Sequence, residues 1–373
     1  MKGYRDVRAR AASGLGPDLF DSMQRSRQRA NAERYVRGLL VVPGRKTLRN
    51  IASQFDGLSA EQNVHHFISE SPWEWMPIRR SLARRVQGML EPEAWVINST
   101  VIPKTGSYSV GVDPQYHPHT GRSVNGQRVV GSWMATPRTA VPVDWQLCIS
   151  GRWLEDPLRT RVAIPATVTE SSVETCVRAA VAQAVSIGGL PGGPFVIDAV
   201  EADTMALTRY LLMSGNVFVV RVAPETLLRL DRAELPRYGD REQPAGELAA
   251  ALTRLRRRVN SADGPMLAAA IPVVMPRSSG GRRMTLVAER AEGMPDRLWL
   301  TSAHTLSVAS VLRLTRLVGV VARGFSTTSE AVGMLDFAGR SYPGWHRHMT
   351  LASVAHMAAA LNVEGSPTEG GGS

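Results

Sequence analysis

One carboxylate is singled out by its position. The apolar run Phe195-Val196-Ile197 ends at Asp198, and the pattern that follows predicts a helix from about Thr204 to Ser214 and a strand from Val217 to Val222. Strand, acid, helix and strand again is an α/β arrangement that leaves the acid at a sheet edge, where sites tend to form. Asp198 is therefore the leading candidate for a site residue, and its chemistry depends on what converges on it. The histidines His65-His66, His117-x-His119 and His346-x-His348 with His356 invite a metal reading. No thiolates or clustered acids complete a coordination set around them, so structural or DNA-facing roles are expected and no metal ligand is assigned. Cys148 and Cys176 match no metal-ligand spacing and read as small core residues in a reduced compartment. Gly-x-Ser-x-Gly and the phosphate-cradling P-loop are both absent, which removes the usual signatures of serine hydrolysis and nucleotide binding.

The charge excess of +11 is carried by arginine, because lysine occurs only at Lys2, Lys46 and Lys104. Arginine favours bidentate phosphate contacts, and a field of this sign attracts polyanions. A genome rich in G and C would produce the same arginine bias, so composition alone does not decide. No apolar run approaches the length of a membrane span, and the start of the chain lacks the apolar stretch of a signal peptide; a cytoplasmic protein is expected.

Residues 1–90 carry helical spacing over Ala30 to Leu40, Leu48 to Phe55 and Ile78 to Leu90, and read as a helical N-terminal module. Its basic clusters, Arg5, Arg8, Arg10, then Arg25, Arg27, Arg29, Arg34, Arg37, then Arg79, Arg80, Arg84, Arg85, could line a duplex backbone or form a solvated helix face. From Trp95 the pattern changes to short runs, Trp95 to Ile97, Ser107 to Val112, Arg128 to Ala135 and Val143 to Ile149, which read as successive strands. A helix is expected over Glu174 to Ile187, before the glycine-rich breaker from Gly188 to Pro194. Residues 91–223 are thus the first part of an α/β core. Residues 224–303 read as an irregular insertion with a basic helix near Leu252 to Val259 and strands near Met284 to Glu289 and Leu298 to Thr301. Residues 304–362 return helices over Val308 to Val321 and His348 to Leu361, and 363–373 read as a disordered tail. The tryptophans fall mostly inside apolar runs and read as core, with room for one or two to stack on a base.

Several stretches, in order along most of the chain, resemble insertion-sequence transposases of the DDE superfamily. They are Arg34-Tyr35-Val36-Arg37-Gly38-Leu39-Leu40 with Gly44-Arg45-Lys46-Thr47, and His66-Phe67-Ile68-Ser69-Glu70-Ser71-Pro72-Trp73. Pro103-Lys104-x-Gly106 and Val143-Asp144-Trp145 follow, then Trp153-Leu154-Glu155-Asp156-Pro157. Near the end comes Arg340-Ser341-Tyr342-x-Gly344-Trp345-His346-Arg347-His348. The resemblance implies an RNase H-like mixed sheet flanked by helices, and a reaction in which metal ions held by three carboxylates cut and rejoin DNA.

The three acid positions are where this chain departs from the pattern. The first falls on the strand Trp95-Val96-Ile97-Asn98-Ser99-Thr100, so Asn98 stands where the resemblance expects an acid. The second matches Asp198. The third falls on Ala322, with Ser329 where a lysine belongs. Asp113, Asp144, Glu330 and Asp336 are the acids that could stand in. The expectation is a DNA-binding protein derived from a transposase, with a regulatory or DNA-organising role and no strand transfer. No cofactor is expected on this reading. The alternative is an enzyme using residual Mg2+- or Mn2+-dependent nuclease activity, or new chemistry in the old cleft. The expected partner is double-stranded DNA, which would make the protein nucleoid-associated; a homodimer is an expectation from the resemblance only. Candidate phosphate contacts are Arg34, Arg37, Arg45, Lys46, Arg79, Arg80, Arg84, Arg85, Lys104, Arg254, Arg256, Arg257, Arg258 and Arg347.

Overall fold

The computed structural model describes residues 16–364 apart from 56–58, 118–121, 188–192, 238–240, 262–263, 277–281, 291–295 and 303–305. Arg5, Arg8, Arg10, His119, the breaker from Gly188 to Gly192 and the tail beyond residue 364 lie outside the described residues.

Apolar residues spaced three and four apart form α1 (Ser26–Val41), α2 (Leu48–Ala52), α3 (Ala60–Ser69) and α4 (Trp75–Leu90). Their buried faces, Tyr35, Val36 and Leu39 on α1 and Ile78, Leu82 and Val86 on α4, join one hydrophobic core with the rest of the chain. The sheet then begins with β1 (Ala94–Pro103), β2 (Val112–His117), β3 (Arg122–Ala135) and β4 (Ala140–Leu147). After α5 (Leu158–Arg161) and α6 (Val173–Ile187) come β5 (Phe195–Asp198), α7 (Thr204–Met213) and β6 (Phe218–Val222).

Strand β3 lies antiparallel to β1, while β5 and β6 run parallel to β1 and to each other. Strands β2 and β4 share the far side of β3, at its two ends. The resulting order β4-β3-β1-β5-β6, with β5 and β6 reached through crossover helices, is the mixed α/β sheet of an RNase H-like fold. The strand expected over Ser107 to Val112 is not formed: residues 107–111 make a turn before β2, closed by the Val112 amide donating to the Ser109 carbonyl at 3.2 Å.

Residues 224–303 extend this same sheet. They supply β7 (Leu227–Leu230), β8 (Gln243–Pro244), α8 (Ala245–Ala251), β9 (Arg257–Ser261), β10 (Gly264–Val274), β11 (Arg283–Arg290) and β12 (Arg297–Thr301). β12 pairs antiparallel with β6, and β11, β10 and β7 follow outward. The basic helix expected near Leu252 to Val259 is not formed: Thr253–Leu255 make one 3-10 turn, and Arg257 begins strand β9 on β10. Consecutive arginines offer no apolar stripe to bury, whereas a strand added to one side of β10 keeps Arg257 and Arg258 in water.

The chain closes with α9 (Val308–Thr315), α10 (Leu317–Gly324), a π turn over Phe325–Ser329 and α11 (Tyr342–Glu364). The single helix expected over Val308 to Val321 is two, parted at Arg316. From Trp345 to Ala358 every residue of α11 is buried, because the helix packs against β4, α1, α3 and α4 together.

Its three histidines are consequently core groups. His348 Nδ1 accepts from the Tyr35 hydroxyl at 2.9 Å, leaving Nε2 to donate to the Gly333 and Met334 carbonyls. His356 Nδ1 accepts from Ser329 Oγ at 2.9 Å while Nε2 donates to the Ala140 carbonyl at 2.9 Å. These bonds suit the neutral imidazole, and burial pushes His348 and His356 down to about 4 from 6.5. Burial, reinforced by Arg79, holds His346 well below 6.5 as well. Each histidine binds its proton less readily in the fold than in the unfolded chain, so stability is complete above pH 6.5 and is lost as pH falls toward 4. Denaturant midpoints measured across that window should drop steadily, and replacing His356 with Gln should flatten the slope; an unchanged midpoint would refute neutral burial.

Candidate functional site

Asp198 closes β5, a short strand buried between β1 and β6. The loop after it is pinned by the Ala202 amide bonding the Ala199 carbonyl at 3.0 Å. Asp203 then caps α7, its Oδ1 accepting from the Met205 and Ala206 amides at 3.0 Å each. The carboxylate of Asp198 is thus carried on rigid backbone at the end of a strand.

Register puts Asn98 beside it. Asn98 on β1 pairs with Asp198 on one side and with Gly131 of β3 on the other. Gly131 is required there, since a Cβ would come within 2.8 Å of both Trp133 Nε1 and Trp145 Cζ3. The buried Asn98 Oδ1 and Ser99 Oγ have no hydrogen-bond partner among the described residues. An unmet buried acceptor costs on the order of 1–3 kcal/mol.

The third position, Ala322, lies on α10, which packs across β1, β5, β3 and β4. It carries a methyl group and no donor for a cation. Ser329 is buried against His356.

The residue that meets Asp198 is Arg221 on β6. Its Nη1 donates to both carboxylate oxygens, at 3.0 Å to Oδ1 and 3.1 Å to Oδ2. Beyond it, Arg128 on β3 links Gln115 at 2.9 Å to Glu201 at 2.7 Å, tying β2 and β3 to the loop after Asp198. Neither arginine was expected from the sequence. The signal for Arg221 was a cation inside an otherwise apolar strand, next to the strand that ends in the acid.

The acids that could have stood in are engaged elsewhere. Asp113 accepts from Ser150 Oγ at 2.8 Å and faces Arg152. Asp144 is buried with Arg79, Asp336 accepts from the Lys46 amide at 2.8 Å, and Glu330 is exposed. No three His, Cys, Asp or Glu side chains among the described residues are grouped to hold a metal ion. The groups around Asp198 do not fit a carboxylate-held metal pair: one acid is present, and a guanidinium already spans both its oxygens.

The basic residues divide sharply. Arg37, Arg45, Arg80, Arg84, Arg254, Arg257 and Arg258 are exposed, with Arg34 half-buried. Arg80, Arg84 and Arg85 line a surface groove with Asp18 and Asp21, and Arg85 is paired with Asp18 at 2.9 Å. A second groove between α1 and α3 is lined by Arg25, Arg27, Gln28, Asn31, Asn63 and His66. Five candidates are corrected to internal roles. Lys46 is buried, its ammonium bonded to the Val42 carbonyl. Lys104 donates to the Leu335 and Phe337 carbonyls at 2.9 and 2.8 Å, and burial lowers it to about 8. Arg256 holds Asp296 at 2.7 Å. Arg347 is buried over Trp73 and bonds the Trp73 and Ile68 carbonyls. Arg79 is buried with Asp144. Each bonds a carbonyl or a carboxylate of the fold itself. Six of the tryptophans are fully buried, Trp73 is nearly so, and Trp75 stacks on His346 with ring centroids 4.8 Å apart.

The family described as DDE superfamily endonuclease has a model that matches residues 18–262, and the chain belongs to that family. No curated protein matches the chain significantly. Among the described residues no helix is long and apolar enough to cross a membrane.

Replacing Arg79 with Met or Asp144 with Asn strands the other charge in the core. Each change should destabilise by about 3–5 kcal/mol, and the double replacement by less than the sum. Additive losses in chemical denaturation would show that the pair does not act as one unit.

Proposed function

We propose that this chain is a DDE-superfamily protein that binds double-stranded DNA without cutting it, in a regulatory or DNA-organising role. The observation that carries the reading is the bridge of Arg221 across both oxygens of Asp198, beside neutral Asn98 and with Ala322 at the third acid position. In-line phosphoryl transfer needs charge that stabilises the attacking and leaving oxygens together. A lone carboxylate, already neutralised by a guanidinium, supplies no such centre.

DNA affinity does not depend on those acids. The arginines Arg80 and Arg84 of α4 and Arg37 of α1, together with Arg45, Arg254, Arg257 and Arg258, stay on the surface, unlike Arg79 and Arg347. Contacts of this kind bind duplex backbone without reading sequence and release counterions as they form. The alternative, an enzyme with residual metal-dependent activity, draws support from one feature: the unpartnered Asn98 Oδ1 beside Asp198 is a neutral oxygen that could join a weak cation site.

One experiment separates the two. Purified protein is titrated with duplex DNA across a range of salt, with and without Mn2+, and the DNA is recovered and examined for nicks. Tight, salt-sensitive binding with intact DNA is expected. Arg80→Glu with Arg84→Glu should weaken binding to all sequences alike and reduce the salt slope by about 0.9 for each phosphate that is no longer neutralised. Nicking that needs Mn2+ and disappears in Asp198→Ala would overturn the reading in favour of the enzyme.

In the same protein, millimolar Mn2+ should leave the melting temperature unchanged. The combined replacement Asn98→Asp, Ala322→Glu and Arg221→Ala should let the metal raise it, since a ligand that binds only the folded state stabilises it. Stabilisation of the unaltered protein by Mn2+ would show that Arg221 does not close the site.

A further inference from the structure

The two cysteines are brought together by the fold. Cys148 follows the end of β4, Cys176 lies in the first turns of α6, and their sulfurs are 3.3 Å apart with Cys148 donating to Cys176. Both are free thiols. The loop between them already has a closed neck: the Ile149 amide bonds Ser171 Oγ at 2.9 Å, and the Ser171 amide bonds the Ile149 carbonyl at 2.9 Å. The Cys148 amide is itself held by the Arg128 carbonyl at 3.0 Å. The sulfurs therefore start near bonding distance on anchored backbone, so closing them to a disulfide asks little of the chain.

We propose that Cys148 and Cys176 form a redox modification site, closing to an intramolecular disulfide when the protein meets a peroxide. Cys176 near the N-terminus of a 15-residue helix is placed to carry the thiolate. The Cys148 S–H and the Ser171 hydroxyl both hold its thiol below the usual range. Cys148 is only half-buried and touches the buried Cys176, so the pair meets solvent at Cys148. The Cys176 thiolate attacks one peroxide oxygen; the O–O bond breaks, leaving Cys176 sulfenic acid and a hydroxide that takes a proton to become water. Cys148 sulfur then attacks the Cys176 sulfur, the S–O bond breaks, and the oxygen leaves with the thiol proton as a second water. Two thiols are oxidised to one disulfide and one peroxide is reduced to two waters.

The bond would fix α6 to the end of β4. The same Arg128 that holds the Cys148 amide through its carbonyl bonds Glu201 in the loop after Asp198. Oxidation would thus tighten the frame behind the candidate site.

The test treats the full chain with hydrogen peroxide, blocks remaining thiols after denaturation, digests with trypsin and weighs the peptides, with a dithiothreitol-treated sample beside it. The expected product joins residues 139–152 to 162–178, two hydrogens lighter than the separate peptides, and reverts with dithiothreitol. The oxidised protein should melt a few degrees higher than the reduced one, as expected for a loop closed by a disulfide. Cys148→Ser should abolish the joined peptide and leave Cys176 carrying added oxygen. Two thiols that still take the blocking reagent, or oxygen added to either cysteine without a cross-link in the unaltered chain, would overturn the proposal, as would a cross-link between two chains.

Discussion

Much of the architecture hangs on the guanidinium of Arg79. It donates to Asp144 Oδ1 at 2.6 Å and the Trp145 carbonyl at 3.0 Å on β4, and to Thr350 Oγ1 at 2.8 Å and His346 on α11. One side chain of α4 thereby stitches the N-terminal helices to the sheet and to the closing helix. A buried ion pair of this kind contributes little net stability against a well-packed apolar substitute, but it tolerates no partial loss. Its effect is to fix how three elements meet. His346 must stay neutral to accept from Arg79, and Thr350 donates on to the His346 carbonyl at 2.8 Å, so the network also fixes the protonation of the core.

That network explains why the sequence misled about some arginines and not others. Arg79 and Arg80 are neighbours of one type, one buried and one in water. The distinction was legible: Arg79 stands three before Leu82 and seven before Val86, on the apolar face of α4, while Arg80 and Arg84 lie on the other face. Arginine as a residue type does not separate the two; the spacing does. Arg347 lies in α11, which is buried all round and has no polar face to mark the difference. The helices α1, α4 and α6 are legible because their apolar spacing is long and regular, and the strand ending in Asp198 because its apolar run follows a glycine-rich breaker. The short β9 was not, because four basic residues around it, Arg254 and Arg256 to Arg258, carry no periodicity of either kind.

The site itself was half legible. Asp198 and its strand could be found from local pattern, and Asn98 and Ala322 from the resemblance. The pairing of Asn98 with Asp198 and the arrival of Arg221 depend on which strands lie side by side, and parallel neighbours are set by crossovers that no local pattern encodes. The cysteines show the same limit. They stand 28 residues apart in sequence and meet only because the end of β4 and the start of α6 share the neck of one loop.

Asp198 ends β5 in the middle of the sheet, between β1 and β6, where charge must be balanced by neighbouring side chains. Clustered carboxylates repel one another and need cations to share a site, so a chain that depends on them is held open for metal. Here one carboxylate faces one guanidinium, at 3.0 and 3.1 Å, with a neutral amide on the adjoining strand. The carboxylate and the guanidinium thus balance each other's charge. The orphaned Asn98 oxygen marks the residual cost: the strand keeps a polar side chain whose oxygen meets no partner among the described residues. The orphaned oxygen and the balanced pair have one cause, the register that sets β1 beside β5 and β5 beside β6, while the buried histidines and the Arg79 network hold that sheet from the other elements.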